Sequence, residues 1–274
     1  MPEGPEIHRA AARVSAAVAG RVANAVFFAF EALKPYETEL SGVEVAKVEA
    51  RGKAMLVHFA NGLSIYSHNQ LYGQWMVRDA YDYPQTKRQL RLAIHTTTHS
   101  ALLYSASEIE VLRDGELEAH PYLSKLGPDL LNTAVTVDQV IAQFHNDRFR
   151  RRRLSSLLLD QSFLAGVGNY LRSEILFVGR THPTLRPDDC SDAQIEGMAQ
   201  AAVQLARQSY ATQGVTNDLA LVAKLREQGV PRGQYRFGVF GRENQACYAC
   251  GTPIIKATCG GRRCYYCPRC QPVA

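Results

Sequence analysis

Near the end of the chain four cysteines stand as Cys247-x-x-Cys250 and Cys267-x-x-Cys270, with 16 residues between the two pairs. That spacing is the strongest local constraint on the fold, because it places two short knuckles around one metal ion in the manner of a four-thiolate zinc site. A segment this small has little core of its own, so the metal supplies its folding energy. Four thiolates leave no open coordination position, and the one zinc ion expected here is therefore structural. Between the pairs, Gly260-Gly261-Arg262-Arg263 reads as a hairpin tip that presents arginines rigidly. Cys190, Cys259 and Cys264 are left over from a total of seven cysteines. Cys259 and Cys264 lie inside the module and compete in principle, but the paired spacing favours the outer four. An odd number of cysteines, clustered late, argues for metal binding over disulfides.

With 274 residues the chain has room for two domains, each with its own core. A formal net charge of +5 permits a polyanionic partner without demanding one. No apolar run approaches the roughly 20 residues that span a bilayer, and no basic-then-apolar leader precedes the first helix-like segment. A cytoplasmic location is the expectation.

Hydrophobic periodicity divides the chain. Residues 5–19 read as an amphipathic helix, with Ile7, Ala11, Val14 and Val18 at helical spacing and Gly20 as its stop. Strand-like stretches follow at 22–30, 43–50, 54–59, 63–67, 75–78, 89–95 and 101–105, with Asn61-Gly62 as a hairpin turn. Many short strands with turn punctuation imply a sandwich or barrel. His120-Pro121 and Gly127-Pro128 mark a connecting segment. Helices are expected near 137–145, 154–163, 169–178 and 192–208, a loop over 211–235, and the cysteine module last. The fold class is thus α+β and multidomain, with boundaries placed at 1–120, 121–236 and 237–272.

The N-terminus carries the most distinctive chemistry. If Met1 is removed, Pro2 becomes a secondary amine. An α-amino group titrates near ~8, against ~10.4 for lysine, so more of it is an unprotonated nucleophile at neutral pH. Attack on an aldehydic carbon gives an iminium that is already cationic and draws electrons from a sugar ring. Glu3 sets a carboxyl beside that amine, where a proton donor or acceptor is needed. Taken alone, Pro5 and Glu6 equally well describe an ordinary helix start. Two further features bear on an anionic partner. Arg148 and Arg150 to Arg153 put five arginines within six residues, a run that is most often a solvated face. The segment Gly166-Val167-Gly168-Asn169 joins two helices by a glycine turn, where backbone N–H groups, a helix N-terminus and the Asn169 amide suit a phosphate. A structural helix hairpin explains that turn about equally well.

Taken together, the Pro2-Glu3 start, Arg51-Gly52-Lys53, Ser67-His68-Asn69-Gln70-Leu71-Tyr72-Gly73, the turn from Gly166 to Tyr170 and the cysteine hairpin resemble the Fpg/Nei family of DNA glycosylases and lyases, and its Nei branch in particular. The resemblance spans both ends and the middle of the chain. It implies an N-terminal β-sandwich, a helical helix-two-turn-helix domain and a zinc finger, with damaged double-stranded DNA bound in the cleft between the domains by a monomeric enzyme. Pro2 is then the nucleophile on the sugar C1′ and Glu3 the acid and base. Lys53 matches a lysine of the β-elimination step. Arg262 matches the zinc-finger arginine tied to phosphate contact and δ-elimination. Asn169 matches the phosphate-binding asparagine, and Gln70, Leu71 and Tyr72 the loop that fills the gap left by an extruded base. One departure is Lys125, where the Nei branch has an arginine near the domain connection; lysine keeps the charge and loses bidentate geometry. The implied activity is base excision of oxidised pyrimidines with strand cleavage. An Fpg-type enzyme acting on 8-oxoguanine is disfavoured by Gly4 and by the Gln70-Leu71-Tyr72 loop, since that branch opens with leucine and carries a methionine there. A non-catalytic damage-binding protein is disfavoured by the joint presence of Pro2, Glu3 and Lys53.

Overall fold

The computed structural model describes residues 2–273. The chain divides into two units after Lys125.

In the first unit, helix α1 (Gly4–Val18) buries Ile7, Ala10, Ala11, Val14, Ala17 and Val18. Strands β1 (Arg21–Val22), β3 (Glu44–Arg51), β4 (Ala54–Phe59), β5 (Leu63–His68) and β9 (Glu108–Arg113) form one antiparallel sheet in the order β1-β3-β4-β5-β9. A second antiparallel sheet has the order β2-β7-β8-β6, from β2 (Ala25–Phe28), β6 (Gln74–Asp79), β7 (Leu90–His95) and β8 (His99–Tyr104). Val57 and Ile65 of one sheet, Phe28, Leu92 and Leu103 of the other, and Val14 and Val18 of α1 share one core. This is the β-sandwich expected from the sequence, with its helix packed into the same core.

The stretch 22–30, expected as one strand, is two. The N–H of Ala23 still bonds to Val43 O at 2.9 Å, on the first sheet, whereas that of Asn24 bonds to His95 O at 2.7 Å, on the second. The chain changes sheets between these residues, a corner that apolar content cannot reveal. Strand β9 was not foreseen: Glu108, Glu110 and Arg113 blur its apolar period, and it lies at a sheet edge where such charges are tolerated. A short helix α2 (Pro35–Leu40) joins the sheets, and α3 (Glu116–Ala119) with a 3₁₀ turn at Leu123–Lys125 ends the unit.

The second unit is helical, with α4 (Val137–His145), α5 (Leu154–Leu157), α6 (Asn169–Val178) and α7 (Asp192–Ala211). The helix expected over 154–163 stops at Leu157, because Asp160 Oδ1 accepts from the Ser162 N–H at 2.8 Å and turns the chain. Phe144 and Phe149 meet Phe163 edge-on at 5.0 and 5.2 Å, in a core shared with Leu157, Ile175, Met198 and Ala202. Residues 211–235 are not the expected loop: α8 (Leu219–Glu227) and α9 (Arg232–Tyr235) lie there. Asp218 caps α8 by accepting from the Leu221 N–H at 2.7 Å, but α8 buries Val222 alone, so it shows almost no helical period. The hairpin β10 (Ile255–Cys259) and β11 (Arg262–Tyr266) closes the unit.

Glu174 of α6 fastens this unit. Its carboxylate is 1% exposed and accepts from the N–H groups of Gly238, Val239 and Phe240 at 2.7, 2.8 and 2.9 Å and from Thr216 Oγ1 at 2.8 Å. Both oxygens take two donors each. An amide offers one acceptor oxygen and turns an NH₂ group on the remaining donors. Glu174→Gln is therefore expected to destabilise the second unit by about 2–3 kcal/mol. Far-UV circular dichroism during urea unfolding measures this. The fluorescence of Trp75, the single tryptophan, reports the first unit and should keep its midpoint.

Candidate functional site

The first unit carries Pro2, Glu3, Lys53, Gln70, Leu71, Tyr72 and Lys125; the second carries Asn169, Arg262 and the four expected metal ligands. Pro2 is half-buried and precedes α1 directly, while Met1 lies outside the described residues. Glu3 is the extended N-cap of α1 and is 3% exposed. Its N–H donates to Glu6 Oε2 at 3.0 Å, one half of a capping box, and Glu6 pairs with Arg9 at 3.1 Å. The helix start therefore fixes the direction in which the chain, and Pro2 with it, leaves the core.

Lys53 sits in the turn between β3 and β4. Gly52 takes φ 60°, as the first central residue of such a hairpin requires, and closes it by pairing Arg51 with Ala54. Lys53 is buried, at 7% exposed. Its backbone N–H donates to Tyr122 Oη at 3.0 Å. The Tyr122 ring meets His68 edge-on at 5.5 Å. Burial pushes the His68 pKa below its ordinary value; Glu108 opposes the shift and the positive charge of Lys53 adds to it. His68 thus stays neutral, with Nδ1 accepting from the Gln70 N–H at 3.1 Å.

Beyond that bond the chain makes a tight loop. Gly73 N–H donates to Asn69 O at 2.7 Å, and a Cβ on Gly73 would come within 2.7 Å of Asn69 backbone atoms. Leu71 and Tyr72 at its tip are 53% and 68% exposed, outside the core despite their apolar surface. Arg88 Nη1 donates to Tyr72 O at 2.6 Å and braces the tip. Neither Arg88 nor Tyr122 carried a signal in the sequence, because each reaches its partner only through tertiary structure. Lys125 is exposed at the end of the 3₁₀ turn.

In the second unit, Gly166 takes φ 89° and its N–H donates to Gln161 Oε1 at 3.0 Å, while Gln161 Nε2 bonds to the carbonyls of Leu159 and Val167 at 3.0 Å. Asn169 opens α6, and its Oδ1 is buried with no hydrogen-bond partner among the described residues. The arginine run is largely committed to the unit itself. Arg150 bonds to Asp147 at 2.7 Å and Asp188 at 3.1 Å, Arg152 to Asp160 at 2.6 Å, and Arg148 reaches Ser162 at 3.3 Å.

The four cysteines converge. Their sulfur atoms all lie within 4.8 Å of one another, with Cys247 Sγ 3.9 Å from Cys270 Sγ and Cys250 Sγ 3.4 Å from Cys267 Sγ. A tetrahedral zinc with Zn–S near 2.3 Å has sulfurs about 3.8 Å apart, so this donor set fits one zinc ion closely. Arg242, stacked on Tyr248 at 3.5 Å and bonded to the carbonyls of Gly238 and Ala246, holds the first knuckle. Gln271 holds the second by bonding to Cys267 N–H and Thr181 O, each at 2.9 Å. The turn of the hairpin is narrower than the expected four residues. Gly260 and Gly261, at φ 59° and 74°, make it alone, and Arg262 already pairs with Cys259 as the first residue of β11. Strand alternation sends Arg262 and Arg263 to opposite faces. Buried Arg172 donates to Arg263 O at 2.6 Å and Ser155 O at 2.8 Å, tying the hairpin to α6.

A β-sandwich unit, a helical unit and a four-cysteine hairpin are the three parts that the sequence resemblance implies. Residues 1–107 match the formamidopyrimidine-DNA glycosylase N-terminal domain, and residues 126–219 match the H2TH domain of the same enzymes. The chain belongs to the Fpg/Nei family of DNA glycosylases. It is 47% identical over 271 residues to Endonuclease 8 of Salmonella arizonae, covering 99% of this chain and 100% of that protein. Endonuclease 8 of Salmonella typhimurium is 47% identical over 272 residues with the same coverage. Among solved structures, Lactococcus lactis Fpg bound to a DNA containing N7-benzyl-Fapy-dG superposes with a TM-score of 0.82 at 18% identity, over 99% of this chain and 100% of that one. That likeness shows the fold.

Two outcomes follow from the site geometry. Cys267→Ser is expected to abolish stoichiometric zinc, read by elemental analysis, and to loosen the hairpin. For His68, the folded protein binds its proton less readily than the unfolded chain does. Its contribution to stability is therefore full above the ordinary value of 6.5 and is lost as pH falls through the lower folded value. NMR titration should show the His68 ring and the Gln70 amide moving together, with a midpoint below 6.5; a midpoint at or above 6.5 contradicts the assignment.

Proposed function

We propose that the chain is a bifunctional DNA glycosylase and apurinic/apyrimidinic lyase that removes oxidised pyrimidines from duplex DNA in base-excision repair, acting as a cytoplasmic monomer. The observation that carries this reading is the Pro2-Glu3 start, with Glu3 buried at the N-cap of α1, in a chain 47% identical end to end to Endonuclease 8. The solved relatives bound to DNA that holds an abasic site or an oxidised pyrimidine support damaged DNA as the partner class. Gly4 and the Gln70-Leu71-Tyr72 loop favour pyrimidine lesions over 8-oxoguanine.

The chemistry follows from the groups present. With Met1 removed, the Pro2 nitrogen attacks C1′ of the extruded nucleotide, the glycosidic bond breaks, and the base departs with the proton that the amine gives up. Glu3 gives a proton to O4′ as the sugar opens, leaving an iminium between Pro2 and C1′. Loss of a C2′ proton then breaks the C3′–O bond; this is the β step, which Lys53 serves as the match to the family's lysine. A second elimination breaks C5′–O, and water releases the amine. Each leaving group is a phosphate, whose charge Arg262 grips. Lys125 and Asn169 hold flanking phosphates. Gln70, Leu71 and Tyr72 occupy the space of the extruded base. Zinc takes no part in any step; it orders the hairpin that carries Arg262.

A duplex oligonucleotide with one oxidised pyrimidine should be cleaved to a 3′-phosphate product, and one with 8-oxoguanine far more slowly. Glu3→Gln should bind the lesion DNA normally and lose at least 100-fold in excision, on the order expected for a lost acid–base group. Arg262→Ala should stop the products at the unsaturated aldehyde of β-elimination, whereas Arg263→Ala, on the opposite strand face, should not. Normal excision by Glu3→Gln would leave Glu3 as a helix cap only.

A further inference from the structure

Gln70 stands apart from its neighbours in the exposed loop. Leu71 and Tyr72 project from the tip, but the Gln70 side chain is bonded at both ends to the protein. Its Nε2 donates to Glu108 Oε2 at 2.7 Å, and its Oε1 accepts from Ser107 Oγ at 2.9 Å. The backbone N–H of the same residue is held by His68 Nδ1 at 3.1 Å. Gln70 also takes φ 46°, in the left-handed region that non-glycine residues enter only when their surroundings impose it. Three hydrogen bonds converge on the one strained residue of the loop, and two of them come from the start of β9 and the residue before it.

Glu108 is itself fixed on rigid structure. It is the first residue of β9 and pairs in register with His68, the last residue of β5. Its Oε1 accepts from Tyr66 Oη at 3.1 Å, and Tyr66 is fully buried in the sheet. The carboxylate therefore spans from the sandwich core to the loop. A negative charge beside a loop that meets a polyanion repels that partner, so its position calls for a compensating role.

We propose that Glu108 is the positioning residue of this loop, holding Gln70 so that Leu71 and Tyr72 are presented to DNA in one preset arrangement. The inference rests on the proposed reading that Gln70, Leu71 and Tyr72 fill the gap left by an extruded base. Preorganisation of this kind lowers the ordering cost of binding and leaves the chemical step untouched. Glu108 acts through Gln70 and touches no reacting atom.

The test is single-turnover cleavage of a duplex carrying an oxidised pyrimidine, with enzyme concentration varied. Glu108→Ala should raise the half-saturating concentration about fivefold and leave the plateau rate unchanged, in line with one or two side chains left to be ordered on binding. Glu108→Gln should recover most of the loss, because its amide oxygen still accepts from Gln70 and its NH₂ group donates to Tyr66 Oη. Cleavage of an abasic site in single-stranded DNA, which has no opposite strand and no gap to fill, should proceed at the wild-type rate in Glu108→Ala and shows that this variant is folded. The double variant Gln70→Ala/Glu108→Ala should be no worse than Gln70→Ala alone. Additive losses in the double variant would overturn the inference, as would wild-type behaviour of Glu108→Ala alongside an impaired Gln70→Ala. Wild-type behaviour of both Gln70→Ala and Leu71→Ala would instead overturn the gap-filling reading on which it rests.

Discussion

The first unit depends on how helix α1 begins. A secondary amine is available to a protein only at its terminus, so a chain that uses Pro2 as a nucleophile must hold its own end still. Chain ends are ordinarily the least ordered part of a fold. Here the N-cap Glu3 is buried, its N–H is bound by Glu6, and the helix that follows drives five apolar side chains, Ala10, Ala11, Val14, Ala17 and Val18, into the sandwich core. The same residue that caps the helix is thereby set next to Pro2, the proposed nucleophile. Anchoring the terminus and supplying a carboxyl are one structural solution.

The second unit solves a different problem, which is to hold a short exposed hairpin in place. Its four cysteines converge on a site that fits one zinc ion, while Arg172, Gln271 and Glu174 fasten the module to α6 and to the loop after it through carbonyl and N–H groups. These are hydrogen bonds of buried charged or amide side chains to backbone, so they fix position and tolerate changes in the sequence of the partner segment. Arg262 gains its rigidity from this arrangement, since it lies in strand β11 and outside the turn itself.

Much of the site was legible because its signals are local. The cysteine spacing, the Gly260-Gly261 turn and the Pro2-Glu3 start are all fixed by neighbours in sequence. What escaped was set by distant partners or by weak patterning. Glu108 reaches Gln70, and Tyr122 reaches Lys53, only after β5 and β9 have paired and the chain has returned from α3. Helix α8 buries a single side chain, so its cap at Asp218 was its one readable mark. The corner at Ala23 and Asn24 depends on which sheet supplies each carbonyl, which no periodicity records. The arginine run reads from sequence as a solvated face whose role stays open; three of its five members, Arg148, Arg150 and Arg152, are bound to Ser162, Asp147, Asp188 and Asp160.

The central claim is that the nucleophile is the amine of Pro2. Borohydride reduction during reaction with DNA containing an oxidised pyrimidine traps the iminium as a stable cross-link, and digestion followed by mass spectrometry locates it. The account requires the adduct on the N-terminal peptide, at Pro2, with Met1 absent. An adduct on Lys53 with Pro2 unmodified would contradict it.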